Sequence, residues 1–261
     1  MSRLSKSARL PLLCYVTDRR NLASAKTAEA LQPFDVRKIL LEKIAAAAKA
    51  GVDWIQIREQ DLSGKECCSI TREAVQLAAS SVRDKTSRSP DSVATAAARH
   101  TGSSAAKAAP GFSTRILVND RLDVVLAEQA GGVHLGEASL PLDEVQRLVE
   151  SVHRERDFLI GVSCHSLEAA KAADRGLADY LFFGPVFATP SKAAFGAPQG
   201  LKRLTEVCRA VALPVLAIGG ITLENAADCL SAGASGIAAI RLFQDSPDMA
   251  AVVRDLRSRS D

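Results

Sequence analysis

Short apolar runs alternate with segments of helical periodicity along most of the chain. Runs of about 4–8 apolar residues are typical of buried strands, and apolar residues three and four positions apart are typical of amphipathic helices. Eight strands are predicted, over Leu12–Val16, Trp54–Ile57, Ile116–Val118, Val133–Leu135, Leu159–Val162, Tyr180–Phe183, Val215–Ile218 and Gly236–Ile240. The predicted helices between them cover Val36–Ala50, Lys65–Val82, Arg121–Ala130, Asp143–Val152, Leu167–Arg175, Leu201–Ala210, Leu223–Ala232 and Pro247–Ser258.

Local signals agree with these helices. The stretch Ser63–Glu66 has the spacing of a capping box, in which the serine and the glutamate satisfy each other's backbone N–H groups. Ser166 and Thr222 precede later helices as N-cap residues. Helix ends are indicated by Gly51 and Gly233, each directly after an alanine.

The order of the elements predicts the fold class. Strands that are apolar on consecutive residues are buried on both faces, which is typical of a parallel sheet covered by helices. Eight strand and helix units predict a closed (β/α)8 TIM barrel in a single domain spanning residues 1–261. The alternative is a doubly wound open sheet, which would leave a strand exposed at each edge.

The stretch Asp84–Thr114 breaks the pattern. It is rich in Ser, Ala, Thr, Lys and Arg, contains Pro90 and Pro110, and shows no apolar periodicity. We expect a disordered insertion here, in a connection from a helix to a strand. Connections of this kind lie on the barrel face opposite the active site, so we expect the insertion to have no part in the chemistry.

Composition narrows the functional classes. The chain is 47% hydrophobic and has a net charge of +3 without a basic stripe, and its single Trp and two Tyr offer little for stacking bases, so nucleic acid is an unlikely partner. We expect no transmembrane segment and no signal peptide. The six Cys include no C-x-x-C pair, which indicates reduced thiols in a cytoplasmic protein without a cysteine metal site.

Polar residues at strand ends are the candidates for function, because the loops after the strands build the active face of such barrels. Alternation after the second strand places Gln56, Arg58 and Gln60 on one side. A buried Arg58 needs a partner, either an anionic ligand or a salt bridge to a carboxylate such as Asp120. Asn119 and Asp120 follow the third strand, where Asp120 could be a helix N-cap or a ligand for a hard cation.

Two histidines lie near the ends of the fourth and fifth predicted strands, and we expect different environments for them. His134 precedes small or apolar residues, and we expect it to pack inside the barrel with its ring nitrogens satisfied. His165 lies just past a strand end beside a hydroxyl. It could serve as an acid or base near neutral pH, or support the first turn of the next helix.

The loop Gly184–Lys192 follows an apolar run and has the character of an anion-binding loop. Thr189 and Ser191 offer neutral hydroxyl donors and Lys192 offers a point charge, a combination that suits phosphate oxygens. The alternative is a solvated loop. Glycines after the seventh strand would let backbone N–H groups approach a phosphate, at the usual phosphate site of these barrels.

Eight motifs, spread over nearly the whole chain except the insertion and the termini, resemble one family. They are YVTDR, IQIRE, LVNDR, GVHLGE, GVSCHS, FFGPVFATPSK with APQGL, LAIGGIT and AGASGIAAI. The chain resembles thiamine-phosphate synthases and their sister group, the aromatizing thiazole tautomerases. The resemblance implies a (β/α)8 barrel, the same fold that periodicity predicts.

The synthase branch joins a hydroxymethylpyrimidine diphosphate to a thiazole phosphate and releases pyrophosphate, with Mg²⁺ bound to the diphosphate. The resemblance implies that the pyrimidine diphosphate is held by Gln56, Arg58, Asn119, Ser163 and Lys192, of which Arg58, Ser163 and Lys192 would be catalytic. It implies Asp120 as a magnesium ligand. It also implies a thiazole phosphate pocket lined by Thr189, Pro190, Ser191, Gly220 and Ile240. The sequence leaves both a monomer and a homo-oligomer open.

Three departures from the family pattern affect charge. Gln60 replaces an expected lysine of the diphosphate site, Ser139 replaces the second magnesium carboxylate, and Arg241 replaces a serine beside the thiazole phosphate. The tautomerase branch needs no magnesium and uses a histidine base in the S-x-H motif, which corresponds to His165. An inactive protein that only binds a thiazole or thiamine phosphate is a third reading. The synthase is favoured by Gln56, Asn119, Asp120 and the intact run from Thr189 to Lys192.

Overall fold

Eight parallel strands close into a barrel in the order of the chain. The structure, a computed structural model, describes residues 10–24, 33–86, 114–152, 158–176, 178–189 and 197–258. The prediction of a (β/α)8 barrel is confirmed, and the open-sheet alternative is wrong because the first strand pairs with the eighth. The strands are β1 (Leu12–Val16), β2 (Trp54–Ile57), β3 (Arg115–Asn119), β4 (Gly132–Leu135), β5 (Leu159–Cys164), β6 (Tyr180–Phe183), β7 (Val215–Ile218) and β8 (Gly236–Ala239).

Helices follow the strands and cover the barrel. They are α1 (Pro33–Ala50), α2 (Gly64–Thr86), α3 (Leu122–Glu128), α4 (Leu142–Val152), α5 (Leu167–Arg175), α6 (Gly200–Ala210), α7 (Leu223–Ser231), α8 (Arg241–Gln244) and α9 (Met249–Ser258). Two short elements were not predicted from the sequence, a 3₁₀ helix over Arg19–Ser24 and the four-residue α8. None of the helices described is long and apolar enough to cross a membrane.

The predicted helix caps are present. The Ser63 hydroxyl and the Glu66 carboxylate each accept a hydrogen bond from the other residue's backbone N–H, at 3.3 and 3.0 Å. The Ser166 hydroxyl accepts from the Ala169 N–H at 3.0 Å. Gly51 and Gly233 have φ of 90° and 99°, left-handed values that explain glycine at these helix ends. The signals at helix termini were therefore read correctly.

The predicted insertion Asp84–Thr114 lies mostly outside the described residues, which omit 87–113. Helix α2 before it continues to Thr86. Thr114 after it is buried, and its hydroxyl donates to the Val52 carbonyl at 2.7 Å. The gap in the described residues therefore begins and ends close to the predicted bounds.

Alternate strand residues point into the barrel and form a core separate from the one under the helices. The fully or almost fully buried interior set comprises Cys14, Val16, Trp54, Leu117, Leu159, Tyr180, Phe182, Leu216 and Ala238. Glycine pairs with a large neighbour at three places in the sheet, where Gly132 meets Leu159, Gly161 meets Tyr180, and Gly236 meets Leu12. The missing side chains make room for the large ones.

We predict that Gly161→Ala overpacks this interior. A Cβ there would lie 2.0 Å from Tyr180 Cζ, a ring that the surrounding core holds in place. The expected loss in the free energy of unfolding is about 3 kcal/mol or more, measured by urea denaturation. Gly64→Ala is the control, because its Cβ would meet only the end of the Arg121 side chain at 2.9 Å. Equal stability losses in the two variants would contradict this view of the interior.

Candidate active site

Polar side chains occupy the carboxyl ends of β2 to β5, at interior-facing positions. They are Gln56, Asn119, His134 and Ser163. Asn119 and His134 are direct neighbours in the register of β3 and β4. The apolar interior core lies below them, so these four side chains form the floor of the barrel mouth.

The amides of Gln56 and Asn119 form a directed chain of hydrogen bonds that ends at Asp120. Asn119 Nδ2 donates to Asp120 Oδ2 at 2.6 Å, since an ionised carboxylate can only accept. Asn119 Oδ1 therefore accepts from Gln56 Nε2, at 2.8 Å. This leaves Gln56 Oε1 buried without a hydrogen-bond partner in the described part of the protein. An unused buried acceptor here suits a ligand with an N–H donor.

Asp120 is bound to the loop after β4. Its Oδ1 accepts from the Ser139 hydroxyl and, at 3.3 Å, from the Gly136 N–H. Arg121, not Asp120, holds the N-cap position of α3, so the reading of Asp120 as a helix cap is wrong. Asp120 has a φ of 61°, an uncommon left-handed conformation for aspartate. Within the described ranges no group of three or more His, Cys, Asp or Glu side chains could hold a metal ion.

Arg58 lies half-buried directly after β2. Its backbone N–H donates to the Thr17 hydroxyl at 3.0 Å. The expected alternative of a salt bridge to Asp120 is not observed, and the guanidinium forms no ion pair with any residue that the structure describes. Gln60, which we expected on the same side as Arg58, is instead exposed in the turn that follows. Arg58 therefore carries a positive charge that no described carboxylate pairs at this strand end.

Glu59 is a supporting residue that sequence reasoning missed. Its buried carboxylate accepts from the Thr17 hydroxyl at 2.7 Å and from the Arg19 N–H at 3.2 Å to each oxygen. Burial raises the pKa of Glu59, although these donors oppose the rise. Because Thr17 also accepts from the Arg58 N–H, Glu59 ties the loop after β1 to the backbone of Arg58. In the sequence, the only indication of this role was the position of Glu59 directly after Arg58, where alternation turns its side chain away from that of Arg58.

His134 packs inside the barrel with both ring nitrogens satisfied, as predicted. Nδ1 lies 3.1 Å from the Tyr180 hydroxyl, and Nε2 lies 2.9 Å from the Ser163 hydroxyl. Burial, together with the positive charge of Arg58, lowers the pKa of His134 to about 3. The imidazole is therefore neutral at any ordinary pH, which excludes it as a cationic ligand for phosphate.

His165 is held by the loop after β6. Its Nδ1 donates to the Gly184 carbonyl, an acceptor without a hydrogen of its own. The hydrogen therefore lies on Nδ1, and Nε2 carries a lone pair that can accept a proton. This contact joins His165 to β6 rather than to the first turn of α5, which Ser166 caps. Beside it, burial raises the pKa of Cys164 to about 12, so this thiol is not a nucleophile.

The predicted phosphate loop is described only in part, because Pro190, Ser191 and Lys192 lie outside the described residues. Thr189 is described, and its hydroxyl lies 3.5 Å from Arg241 Nη2. Ile240 is the N-cap of α8, directly before Arg241. The structure thus brings Arg241 and Thr189 together across the ends of β6 and β8.

Gly220 lies where the loops after β6 and β7 run side by side. The Phe187 N–H donates to the Gly219 carbonyl at 3.0 Å. Gly220 has a φ of 67°, and a Cβ at this residue would lie 2.5 Å from the Ala188 carbonyl oxygen. Glycine is therefore required here by the close approach of the two loops.

We predict that Glu59→Gln destabilises the protein, because an amide NH₂ would face one of the N–H or O–H donors that the carboxylate now accepts. The expected loss in the free energy of unfolding is about 1–3 kcal/mol, measured in urea. Glu66→Gln is the matched control, since Glu66 also accepts from a hydroxyl and an N–H but is exposed. A loss no larger than that of the control would show that the hydrogen bonds of Glu59 to Thr17 and Arg19 do not stabilise the fold.

Comparisons with known proteins find similarity over most of the chain. Residues 80–243 match the family described as thiamine monophosphate synthase. The chain is 39% identical over 213 residues to a thiamine-phosphate synthase of Methanoregula boonei, which covers 82% of each protein. It is 49% identical over 140 residues to that of Methanospirillum hungatei, covering 54% of this chain and 66% of the relative.

A solved structure extends the likeness to the whole fold. The thiamine phosphate pyrophosphorylase from Pyrococcus furiosus superposes with a TM-score of 0.67 and 27% identity, over 95% of this chain and 94% of that one. The similarity therefore covers the barrel fold as a whole. The chain belongs to the thiamine-phosphate synthase family.

Proposed function

We propose that this chain is a thiamine-phosphate synthase, which couples hydroxymethylpyrimidine diphosphate to thiazole phosphate and releases pyrophosphate. Its relatives carry this activity in their names. The structural observation that supports it best is the directed chain from Gln56 to Asp120. It leaves one buried acceptor of Gln56 unused, and two residues further on the Arg58 guanidinium forms no ion pair with a described residue. A substrate with a nitrogen ring and a diphosphate group would meet both requirements.

We assign the pyrimidine diphosphate to the floor of the mouth. Gln56 Oε1 would accept from an N–H group of the pyrimidine, and Asn119 fixes the orientation of the Gln56 amide. Arg58 and Lys192 would contribute positive charge to the diphosphate, and Ser163 a neutral hydroxyl. Each assignment matches the residue's hydrogen-bonding capacity to the chemistry of that part of the substrate.

The reaction is a departure of pyrophosphate that leaves a resonance-stabilised pyrimidine cation, which the thiazole nitrogen then captures. Negative charge grows on the leaving group, so fixed positive charges around it lower the barrier. The backbone N–H of Arg58 is held by the Thr17 hydroxyl, and its guanidinium forms no ion pair with a described residue, so the positive charge would be available to the leaving group. Burial lowers the pKa of His134 to about 3, so its imidazole is a weak base toward the substrate at ordinary pH.

The donor set around Asp120 fits a magnesium ion. Mg²⁺ in phosphate-handling sites is commonly bound by one or two carboxylates together with substrate oxygens. Asp120 supplies one carboxylate, and the Ser139 hydroxyl supplies a neutral oxygen in contact with it. When bound, the ion would neutralise charge on the leaving pyrophosphate.

We assign the thiazole phosphate to the loops after β6, β7 and β8. The contributing residues would be Thr189, Pro190, Ser191, Gly220 and Ile240. Arg241, which stands where a serine is expected, lies within reach of Thr189 and would add a positive charge to this side.

The six cysteines are all free thiols, which suits the cytoplasmic location that we propose.

One observation favours the tautomerase as a second candidate, namely the available lone pair on His165 Nε2. A base at this position could move a ring proton of a thiazole. The relatives carry the synthase name, however, and a magnesium ligand at Asp120 would have no use in a reaction that needs no magnesium. The tautomerase is therefore not favoured.

The decisive experiment is incubation of the purified chain with both synthase substrates and Mg²⁺, with pyrophosphate and thiamine phosphate measured together. Equal amounts of the two products support the synthase. Tight binding of the substrates without turnover would instead favour the inactive binding homologue.

We predict that magnesium dependence follows Asp120. Asp120→Ala should lower the rate by about 100-fold or more, because a hard oxygen ligand is lost. Ser139→Asp should lower the Mg²⁺ concentration at half-maximal rate, and should tighten Mg²⁺ binding measured by calorimetry in the presence of inorganic pyrophosphate. The control is Asp123→Ala, since Asp123 is exposed and paired with Arg121. A rate for Asp120→Ala equal to that of this control would refute the metal assignment.

We predict that His165→Asn separates the two catalytic candidates. In a synthase, pyrophosphate release should persist within about tenfold of the parent, because no proton transfer by His165 is required. In a tautomerase, the same change removes the base and abolishes isomerisation of the thiazole, while binding stays nearly unchanged. Loss of isomerisation by this variant, in a parent that releases no pyrophosphate at any Mg²⁺ concentration, would exclude the synthase.

A further inference from the structure

Three side chains inside the barrel form a line that ends in the mouth. Tyr180 is fully buried, His134 is 2% exposed, and Ser163 is partly exposed. The Tyr180 hydroxyl contacts His134 Nδ1, and His134 Nε2 contacts the Ser163 hydroxyl. The Phe182 ring lies 4.2 Å from the imidazole, centroid to centroid, so aromatic packing restricts rotation of the imidazole.

The positions of the hydrogens in this line follow from Tyr180. Within the described residues, its hydroxyl has a single hydrogen-bonding partner, His134 Nδ1. If the ring hydrogen lay on Nδ1, the tyrosine would accept it and its own hydrogen would be buried without an acceptor. A buried donor without an acceptor is strongly disfavoured, so the tyrosine donates and Nδ1 accepts.

The position of the ring hydrogen on the imidazole then determines whether the serine hydroxyl donates to it or accepts from it. A neutral imidazole carries one hydrogen, and with Nδ1 accepting, that hydrogen lies on Nε2. Nε2 therefore donates to the Ser163 oxygen, and the serine's own hydrogen is not used in this contact. The hydroxyl can then donate to a second acceptor in the mouth.

We propose that Tyr180 and His134 are positioning residues that fix Ser163 as a hydrogen-bond donor to a negatively charged phosphate oxygen of the substrate. Neither residue touches the substrate in this arrangement. In the opposite tautomer, protonated on Nδ1, the serine hydroxyl would donate its hydrogen to His134 Nε2. Only lone pairs of the serine oxygen would then face the anion. The identity of the anion rests on the proposed function, whereas the tautomer rests on the geometry alone.

The tautomer can be measured directly. The chain has four histidines, so selective ¹⁵N labelling of histidine gives a simple long-range ¹H–¹⁵N spectrum, in which the His134→Gln variant assigns the signals of His134. We expect His134 to be protonated on Nε2 only. In Tyr180→Phe the donor to Nδ1 is lost, and a second population protonated on Nδ1 should appear. A parent protein protonated on Nδ1 would overturn the proposal.

The effect on the substrate is tested by kinetics. Tyr180→Phe should raise the KM for the pyrimidine diphosphate about threefold to tenfold, the range expected for one neutral hydrogen bond. Tyr15→Phe is the matched control, because its buried hydroxyl also makes one hydrogen bond, to Gln244, away from Ser163. In a Ser163→Ala background, Tyr180→Phe should have no further effect on KM. Independent, additive effects would show that Tyr180 has only a structural role.

Failure of the proposed function would be distinguishable from failure of this inference. If the parent releases no pyrophosphate, calorimetry with inorganic pyrophosphate replaces KM as the measurement. Tyr180→Phe and Ser163→Ala should then weaken binding of this anion to similar degrees, and Tyr15→Phe should leave it unchanged. Unaltered binding in Tyr180→Phe would overturn the proposal, whatever the chain catalyses.

Discussion

The parallel pairing that closes the barrel is the constraint on which the candidate site depends. Because all eight strands run in one direction, their carboxyl ends meet at one mouth, and distant parts of the chain become neighbours. Gln56 and Asn119 are separated by 63 positions and yet share a hydrogen bond. Alternation along each strand then decides which side chains enter the mouth and which join the core under the helices.

In this barrel the packing of the interior and the arrangement of the polar side chains at the floor depend on the same residues. Gly161 lies opposite Tyr180 and leaves room for its ring, and the ring in turn brings its hydroxyl to His134. A larger residue at position 161 would clash with the ring, and a smaller residue at position 180 would leave a void and remove the contact to the imidazole. The residues that fill the barrel therefore also set the hydrogen bonds at its mouth.

Sequence was sufficient for features that depend on short-range pattern. Strand runs, the caps at Ser63 and Ser166, and the glycines after α1 and α7 are decided by neighbouring residues, and the structure has them where periodicity places them. The strand-end rule also selected Gln56, Arg58 and Asn119 as mouth residues, and the family motifs added Ser163. The family motifs added the expected roles, which still require the experiments described for them.

The hydrogen-bond partners of individual side chains could not be predicted from the sequence, because they depend on which strands become neighbours. Tyr180 looks like one more apolar residue of a strand, and nothing local indicates that its hydroxyl meets His134. Glu59 gave no hint of Thr17, which lies 42 positions away. Asp120 suited either a cap or a cation ligand by residue type, and only the backbone excludes the cap, since Arg121 takes that position.

Charge at the mouth gives a physical reason for a serine at position 139. A serine there can donate to Asp120, whereas a second carboxylate would repel it unless a cation lay between them. Gln60 is exposed in the turn after β2, so the charge at the floor does not depend on it. Arg241 then adds its charge on the opposite side, beside Thr189, where a second phosphate group would lie.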